Sequence, residues 1–186
     1  MILDDIRNYI PFNEQEERDR EQIIAFLENA QMPFSRENSF AHMTASAWIV
    51  NSKRDKVLMV YHNLYDSWSW TGGHADGEED LLKVALKEAQ EETGVSVKAV
   101  SDEIYSLEIL TVDGHEKKGK YLSSHLHMNV TYLLEASEDD ALKVCPEENS
   151  AVAWFGLEEA MAKSTEPWFV ERIYKKLNSK LEKISR

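Results

Sequence analysis

Hydrophobic residues are spaced in ways that predict where the chain forms strands. Residues 45–50 and 56–61 are short, strongly apolar runs joined by the turn-prone segment 51–55. Their apolar content predicts two neighbouring strands of a buried sheet. From residue 126 to residue 134, apolar positions alternate with more polar ones, which is the period of a strand with one face in the core.

Weaker patterns extend this order of elements. Looser strand patterns cover residues 97–100, 103–112 and 151–155. A short helix is predicted over residues 157–161 and a closing helix over residues 166–184, with Pro167 suited to its first turn. The polar stretch 114–119 is predicted to be a mobile loop. Because strands and helices are mixed along the chain, the pattern predicts an α/β or α+β sandwich.

The N-terminal part of the chain is polar and favours helix. Asn13 and Glu16 are spaced as a capping box ahead of a set of apolar positions, and Pro33 ends the helical pattern. The chain has no internal repeat and no low-complexity linker. We therefore predict a helical extension over residues 1–40, followed by one domain over residues 41–186.

The segment 73–95 is the most informative part of the sequence. One side of it carries an apolar stripe at helical period, formed by Leu82, Ala85, Leu86 and Ala89. This stripe predicts a helix that packs on the sheet and ends near Gly94, where a left-handed cap is expected. Glu88, Glu91 and Glu92 lie three and four positions apart, so their carboxylates are expected to project toward one point. A hard divalent cation would bind such crowded oxygens, with Mg²⁺ as the best fit and Mn²⁺ as the alternative.

Composition and charge narrow the classes of function. The 186 residues, of which 42% are hydrophobic, suffice for one domain with a sizeable core. A net charge of -13 argues against a nucleic-acid polymer as partner, although a metal ion at the acidic cluster would let anionic phosphates bind. The lone Cys145 excludes an intramolecular disulfide, and neither a bilayer-length apolar run nor a signal-peptide pattern is present. A cytoplasmic location without a membrane partner is expected.

The spacing of residues 73–95 resembles the signature of the Nudix (MutT-like) hydrolases. That signature has a glycine, a glutamate, a basic residue followed by glutamate, a pair of glutamates, a second glycine and an apolar residue, at fixed spacing. The matching residues here are Gly73, Glu79, Lys87, Glu88, Glu91, Glu92, Gly94 and Val95. One position departs from it, because the family usually has arginine where Lys87 keeps the charge but loses the bidentate fork. Upstream, Thr71 replaces the proline that many members have before the two glycines.

The resemblance implies a fold and a set of site residues. The fold would be an α/β/α sandwich with a mixed, partly curled sheet. Glu88, Glu91 and Glu92 would be metal ligands, Glu79 would be a further ligand or orienting carboxylate, and Lys87 would be its hydrogen-bonding partner. Several relatives have another glutamate in the loop before the last strand. Glu148 stands in a similar place here, with Glu147 as its competitor.

Five residues are candidates for contacts with the substrate. Gly73 lies at the entry of the signature loop, and Trp68 and Trp70 precede it, where they could stack on a ring or simply pack in the core. His125 and His127 share one strand face and could contact a metal or a phosphate, or be satisfied by nearby hydrogen bonds. The sequence leaves these alternatives open.

The resemblance implies metal-dependent hydrolysis of a diphosphate bond in a nucleoside diphosphate linked to another moiety, by attack of water on phosphorus. Glu91 is the first candidate for the general base, with Glu79 and Glu148 as alternatives. Two other functions stay open, a catalytically silent ligand-binding or regulatory module and an isoprenoid diphosphate isomerase. The isomerase would need a reactive cysteine in the cleft, and Cys145 aligns with no such position. A homodimer is common in the family, but neither the oligomeric state nor the substrate follows from this sequence.

Overall fold

The computed structural model describes residues 1–117 and 119–184. The strands are β1 (Ala41–Val50), β2 (Lys56–His62), β3 (Ser67–Ser69), β4 (Thr71–His74), β5 (Lys98–Ala99), β6 (Ser106–Val112), β7 (His115–Lys117), β8 (Lys120–Leu122), β9 (His125–Glu135) and β10 (Asn149–Gly156). The helices are α1 (Ile2–Asn8), α2 (Glu14–Asn29), α3 (Leu81–Thr93), α4 (Leu157–Lys163), α5 (Pro167–Phe169) and α6 (Lys175–Ile184), with a π-helical turn (Val170–Tyr174) before α6.

The main sheet has eight strands and is mixed. Its central path runs β10-β2-β1-β9-β5, with β3 on β2, β4 on β1 and β6 on β9. Strands β1 and β9 are parallel, whereas the other pairs are antiparallel. One edge of β1 pairs with β4 over residues 44–47 and with β2 over residues 49–50, so the sheet forks and curls there. The predicted sandwich with a mixed, partly curled sheet is confirmed.

Each face of the sheet has its own apolar core. Odd-numbered residues of β1 face the first three helices in a core that includes Ile6, Ile23, Leu81, Val84, Ala85 and Ala89. On the other face, Trp48 and Val50 of β1 pack with residues of the C-terminal helices, including Ile173, Tyr174 and Leu177. Helix α3 is therefore fixed to one face of the sheet by its apolar side, as its sequence predicts. Among the described residues, no helix has both the length and the apolar content needed to cross a bilayer.

The N-terminal helices are packed onto the sheet. Asn13 caps α2, because its side-chain oxygen accepts a hydrogen bond of 2.9 Å from the Glu16 amide. The Glu16 carboxylate completes the cap differently from a capping box, since it accepts from the Phe12 amide at 2.7 Å. Ile6 and Ile23 are fully buried in the core shared with α3. The division into an extension and a domain stays a prediction.

The structure corrects two predicted elements. Residues 114–119 are not a loop throughout, because β7 and β8 pair as a short antiparallel hairpin; residue 118 lies outside the described residues. This hairpin is short and polar and lacks a buried apolar face by which the sequence could reveal it. The predicted closing helix is instead divided into α5, the π-helical turn and α6, and the turn buries Ile173 and Tyr174 in the core.

Candidate functional site

Helix α3 is held at both ends by local contacts. At its start, the Asp80 side chain accepts a hydrogen bond of 3.1 Å from the Lys83 amide. At its end, Gly94 has a φ of 77°, and its amide donates to the Gln90 carbonyl oxygen at 2.9 Å. The helix therefore presents its glutamates from a fixed position.

Strand β4 brings the backbone close to the acidic side of α3. A Cβ atom added at Gly73 would lie 2.5 Å from Cδ of Glu88, which is closer than real Cβ contacts allow. The amide of Gly72 donates a hydrogen bond of 3.0 Å to Oε1 of Glu92. Gly73 thus lets strand and helix approach closely by leaving room for Glu88, whereas Gly72 contributes its amide to Glu92.

Three carboxylates converge at this place. Glu88, Glu92 and Glu148 each offer one oxygen, and these oxygens lie within 4.8 Å of one another. We call these three residues the acidic cluster. Glu148 comes from the loop before β10, where the sequence places a competitor, Glu147, that is not in the cluster.

Asn149 fixes the loop that carries Glu148, and the sequence analysis missed it. Its side chain is fully buried, donates to the Glu92 carbonyl oxygen at 2.9 Å and accepts from the Cys145 amide at 3.1 Å. It therefore ties the loop to the last turn of α3. The only signal in the sequence is an amide side chain at the start of a strand next to Glu148.

The acidic cluster has little positive charge of its own. Glu92 is 3% exposed, and burial raises its pKa to about 8, with Glu148 and Glu88 adding to the shift and the Gly72 amide opposing it. Burial also raises the pKa of Glu88, although the nearby Lys87 ammonium opposes that shift. Converging oxygen ligands short of positive charge are the donor set that a hard divalent cation takes.

Glu91 does not point to the same place as its neighbours. Its side chain is 55% exposed, and its carboxylate lies 3.0 Å from the Lys87 ammonium, outside the acidic cluster. Successive residues of an α-helix are about 100° apart, so Glu92 and Glu91 leave the helix in different directions. The expected convergence therefore holds for Glu88 and Glu92 but was wrong for Glu91.

Lys87 and Glu79 are not hydrogen-bonded to each other. The Lys87 ammonium donates to Glu88 at 3.1 Å and to Glu91 at 3.0 Å, which corrects the predicted pairing with Glu79. Glu91 lies four positions further along α3, on the same side of the helix as Lys87, and the flexible lysine side chain also reaches its neighbour Glu88. Glu79 is exposed in the loop before α3, and its role stays a prediction.

The two tryptophans differ in their surroundings. Trp70 is 7% exposed and packs edge-on against Phe169 and Tyr174, in the core on the face opposite α3. Trp70 therefore packs in the core and does not line the acidic cluster, because its side chain lies on the other face of the sheet. Trp68 is half-buried between Tyr61 and Phe155.

The two predicted histidines do not join the acidic cluster. His127 pairs in register with His42 of β1, and both lie on the sheet face opposite α3. His74 is one residue past Gly73, whose Cβ position faces Glu88, so it points to that opposite face as well. His125, His127, His42 and His74 together form a histidine cluster, of which the sequence analysis found only the first two.

Known proteins share this arrangement of elements. The model of the NUDIX domain family matches residues 41–177. The probable DHNTP pyrophosphohydrolase of Lactococcus lactis is 27% identical over 121 residues, which are 64% of this chain and 70% of that protein. The m7GpppN-mRNA hydrolase of Xenopus laevis is 32% identical over 119 residues, 62% of this chain, but the chain spans only 38% of that protein.

A solved structure shows the same fold. A NUDIX hydrolase from Nitrosomonas europaea superimposes with a TM-score of 0.56 at 19% identity. The superposition covers 77% of this chain and 90% of that one. At this level of identity the likeness concerns the fold alone.

Proposed function

This chain belongs to the Nudix family and is a Nudix hydrolase, and we propose that it hydrolyses a diphosphate bond in a nucleoside diphosphate linked to another moiety, using Mg²⁺ bound by Glu88, Glu92 and Glu148. The observation that carries the proposal is the convergence of these three carboxylates within 4.8 Å. Both curated relatives are hydrolases, and one is a pyrophosphohydrolase, which supports the class of reaction.

The residues of the acidic cluster suit a divalent cation. Carboxylate oxygens are the ligands that Mg²⁺ prefers, and Mn²⁺ can occupy similar sites. When bound, such an ion would neutralise charge on phosphate oxygens and lower the pKa of a coordinated water. Each ligand is positioned by the chain itself: Glu88 by the space above Gly73, Glu92 by the Gly72 amide, and Glu148 through Asn149.

We propose Glu91 as the general base that takes a proton from the attacking water. Glu88, Glu92 and Glu148 are assigned as metal ligands. Glu91 lies on the same helix as Glu88 and Glu92, but its side chain is exposed to water. Lys87 contacts both Glu88 and Glu91, so it would orient the base relative to a ligand. Glu79 is the first alternative, and Glu148 is an alternative only if it does not bind the metal. A base variant should lose turnover and keep its Mg²⁺ affinity, whereas a ligand variant should lose both.

The other two functions receive less support. A silent module would be favoured by a broken signature, but Lys87 keeps a cation beside Glu88 and Glu91. An isomerase would need an activated thiol, whereas burial raises the pKa of Cys145 and the carboxylates of Glu148 and Glu92 raise it further. We further propose that the substrate is a small anion and that the protein acts in the cytoplasm. A nucleic-acid polymer is not proposed as partner, because the net charge is -13.

Glu147 and Glu148 are adjacent in one loop, and a comparison of their variants tests the proposal. We would assay the full chain with Mg²⁺ against a panel of nucleoside diphosphate derivatives and identify the products by mass. Glu148→Gln should lower kcat/KM by about 100-fold or more, since it removes a charged ligand but keeps the shape. Glu147→Gln, the matched control, should behave like the wild type. The absence of turnover on every substrate, or equal activity of the two variants, would refute the proposal.

A further inference from the structure

The histidine cluster is a second group of metal-ligating side chains, on the sheet face away from the acidic cluster. His42, His125 and His127 each offer one ring nitrogen, and these nitrogens lie within 4.8 Å of one another. Their ring centroids are 5.0 to 5.2 Å apart. Parallel pairing of β1 with β9 creates this group, because it sets His42 beside His127 in register.

Two of these rings are oriented by backbone carbonyls. Nδ1 of His42 lies 3.1 Å from the carbonyl oxygen of Asn38, and Nδ1 of His125 lies 2.8 Å from that of Ser123. A carbonyl oxygen can only accept, so each Nδ1 carries a proton, and in a neutral ring this leaves the Nε2 lone pair free to bind a metal. Metal-binding histidines are commonly held in this way, with the outer ring nitrogen donating to a carbonyl oxygen.

The inner nitrogens lack partners. Nε2 of His42 and Nε2 of His127 are buried and have no hydrogen-bond partner among the residues that the structure describes. His42 is only 3% exposed, so water reaches its ring poorly. Leaving a buried polar atom unpaired costs about 1–3 kcal/mol, which a bound ligand at the centre of the cluster would recover.

Two of the three rings, those of His42 and His127, favour the neutral form, which binds metals. Burial lowers the pKa of His127 to about 2, and the neighbouring histidines lower it further. Burial also lowers the pKa of His42. Neutral rings attract a phosphate group weakly, whereas their nitrogen lone pairs are ligands for a transition metal.

We propose that His42, His125 and His127 bind a Zn²⁺ ion, separately from the Mg²⁺ proposed for the acidic cluster. Imidazole nitrogen is a preferred ligand of Zn²⁺, whereas Mg²⁺ prefers the carboxylate oxygens of the other site. In a tetrahedral site the ligand nitrogens lie roughly 3.4 Å apart, so these three nitrogens, which lie within 4.8 Å of one another, are close to the separation that the ion requires. The assignment does not depend on the hydrolytic reaction.

A fourth ligand of the proposed ion would lie near His74. Its ring centroid lies 5.1 Å from that of His42 and 4.9 Å from that of His127. Zinc sites with three protein ligands keep one position for water or substrate. His74 is next to Gly73, so a ligand in that position would lie beside the strand that carries the glycine loop.

The test uses the full chain without a histidine tag, stripped of metal and then exposed to Zn²⁺ in a large excess of Mg²⁺. Elemental analysis after gel filtration should find about one Zn²⁺ per chain, because Mg²⁺ fills the acidic cluster and competes poorly for imidazole. Competition with a chromophoric chelator gives the affinity. His127→Phe and His125→Asn should each weaken Zn²⁺ binding by about 100-fold or more.

Two controls distinguish the sites. His62→Asn changes a histidine of β2 that contacts Tyr65 and lies outside the cluster, and Glu92→Gln changes the acidic cluster, so both should keep wild-type Zn²⁺ affinity. Circular dichroism would verify folding, and if His127→Phe does not fold, the half-buried His125→Asn decides. Absence of Zn²⁺ from the wild type, unchanged affinity in the histidine variants, or loss of Zn²⁺ in Glu92→Gln would overturn the assignment.

Discussion

Two groups of carboxylates in this protein, each with a buried glutamate, have opposite charge environments. In the first, which we call the internal ion network, Glu16 of α2 and Glu108 of β6 are fully buried beside lysines of α6. In the second, the acidic cluster, Glu92 is 3% exposed and has other glutamates as its nearest charged neighbours. Glutamate is thus buried beside lysines in the first group, whereas in the second Glu92 is buried among carboxylates and the Lys87 ammonium contacts only its neighbour Glu88.

The pKa values follow from this difference. Burial alone would raise the pKa of Glu16, but Lys176 at 3.2 Å and Lys180 at 2.9 Å outweigh it and lower that pKa to about 2. In the acidic cluster, burial and neighbouring carboxylates raise the pKa of Glu92 to about 8. The internal ion network is neutralised within the chain, whereas the acidic cluster gains from a cation supplied by solution. We infer that the first group stabilises the fold and the second serves function.

The largest effect is expected from breaking the internal ion network at Lys176. The Lys176 ammonium lies 2.9 Å from Glu108 and is 3% exposed, so Lys176→Met leaves a buried carboxylate without its cation. Removing one partner of a buried ion pair costs about 3–5 kcal/mol of unfolding free energy. Urea unfolding of the wild type and of Lys176→Met would measure this loss of unfolding free energy.

A matched lysine provides the control for that variant. Lys175 is the preceding residue of α6, is 53% exposed and pairs with Glu171 on the surface. Lys175→Met should change the unfolding free energy by less than about 1 kcal/mol. If Lys176→Met were as stable as Lys175→Met, the internal ion network would not hold the fold.

Glu92→Gln should have the reverse effect, with activity lost and stability kept. The glutamine can still accept the Gly72 hydrogen bond, and unlike Glu92, whose pKa burial raises to about 8, it is uncharged without having to take up a proton. We expect kcat/KM to fall by about 100-fold or more, with metal-free unfolding free energy unchanged or higher. Kinetics with saturating Mg²⁺ would test the loss of activity. Urea unfolding in the presence of a chelator would test the stability of the metal-free chain. A variant that is active, or one that is strongly destabilised, would remove the contrast between the two groups.

The contrast explains what the sequence could and could not predict. The helix of the signature, its cap at Gly94 and the clear strands follow from local periodicity, and the structure contains them. Glu88 and Glu92 also follow from helical spacing. Glu91 departs from the prediction because it is adjacent to Glu92, about 100° away around the helix, and its side chain turns to Lys87 instead.

Contacts between distant segments lay beyond the sequence. Glu16 has the spacing of a capping residue, yet its carboxylate reaches Lys180 of α6, 164 positions away. His42 joins His127 only through the parallel pairing of β1 and β9, which no local pattern reveals. The internal ion network and half of the histidine cluster were missed for one physical reason, namely that they depend on strand order and helix docking.

The smallest of these effects is the acid sensitivity that Glu16 gives to the fold. Its pKa is about 2 in the folded chain and near the ordinary 4.5 in the unfolded chain. Its contribution is therefore complete well above pH 4.5 and is lost as the pH falls from 4.5 through 2. Between pH 6 and pH 4, Glu16 should account for a loss of about 1 kcal/mol of unfolding free energy.

Glu16→Gln cannot titrate, so its urea-unfolding free energy should fall less than that of the wild type over this range. Parallel pH profiles of the two proteins would mean that Lys176 and Lys180 do not hold Glu16 in its charged form, and the distinction between the two carboxylate groups would then rest on the acidic cluster alone.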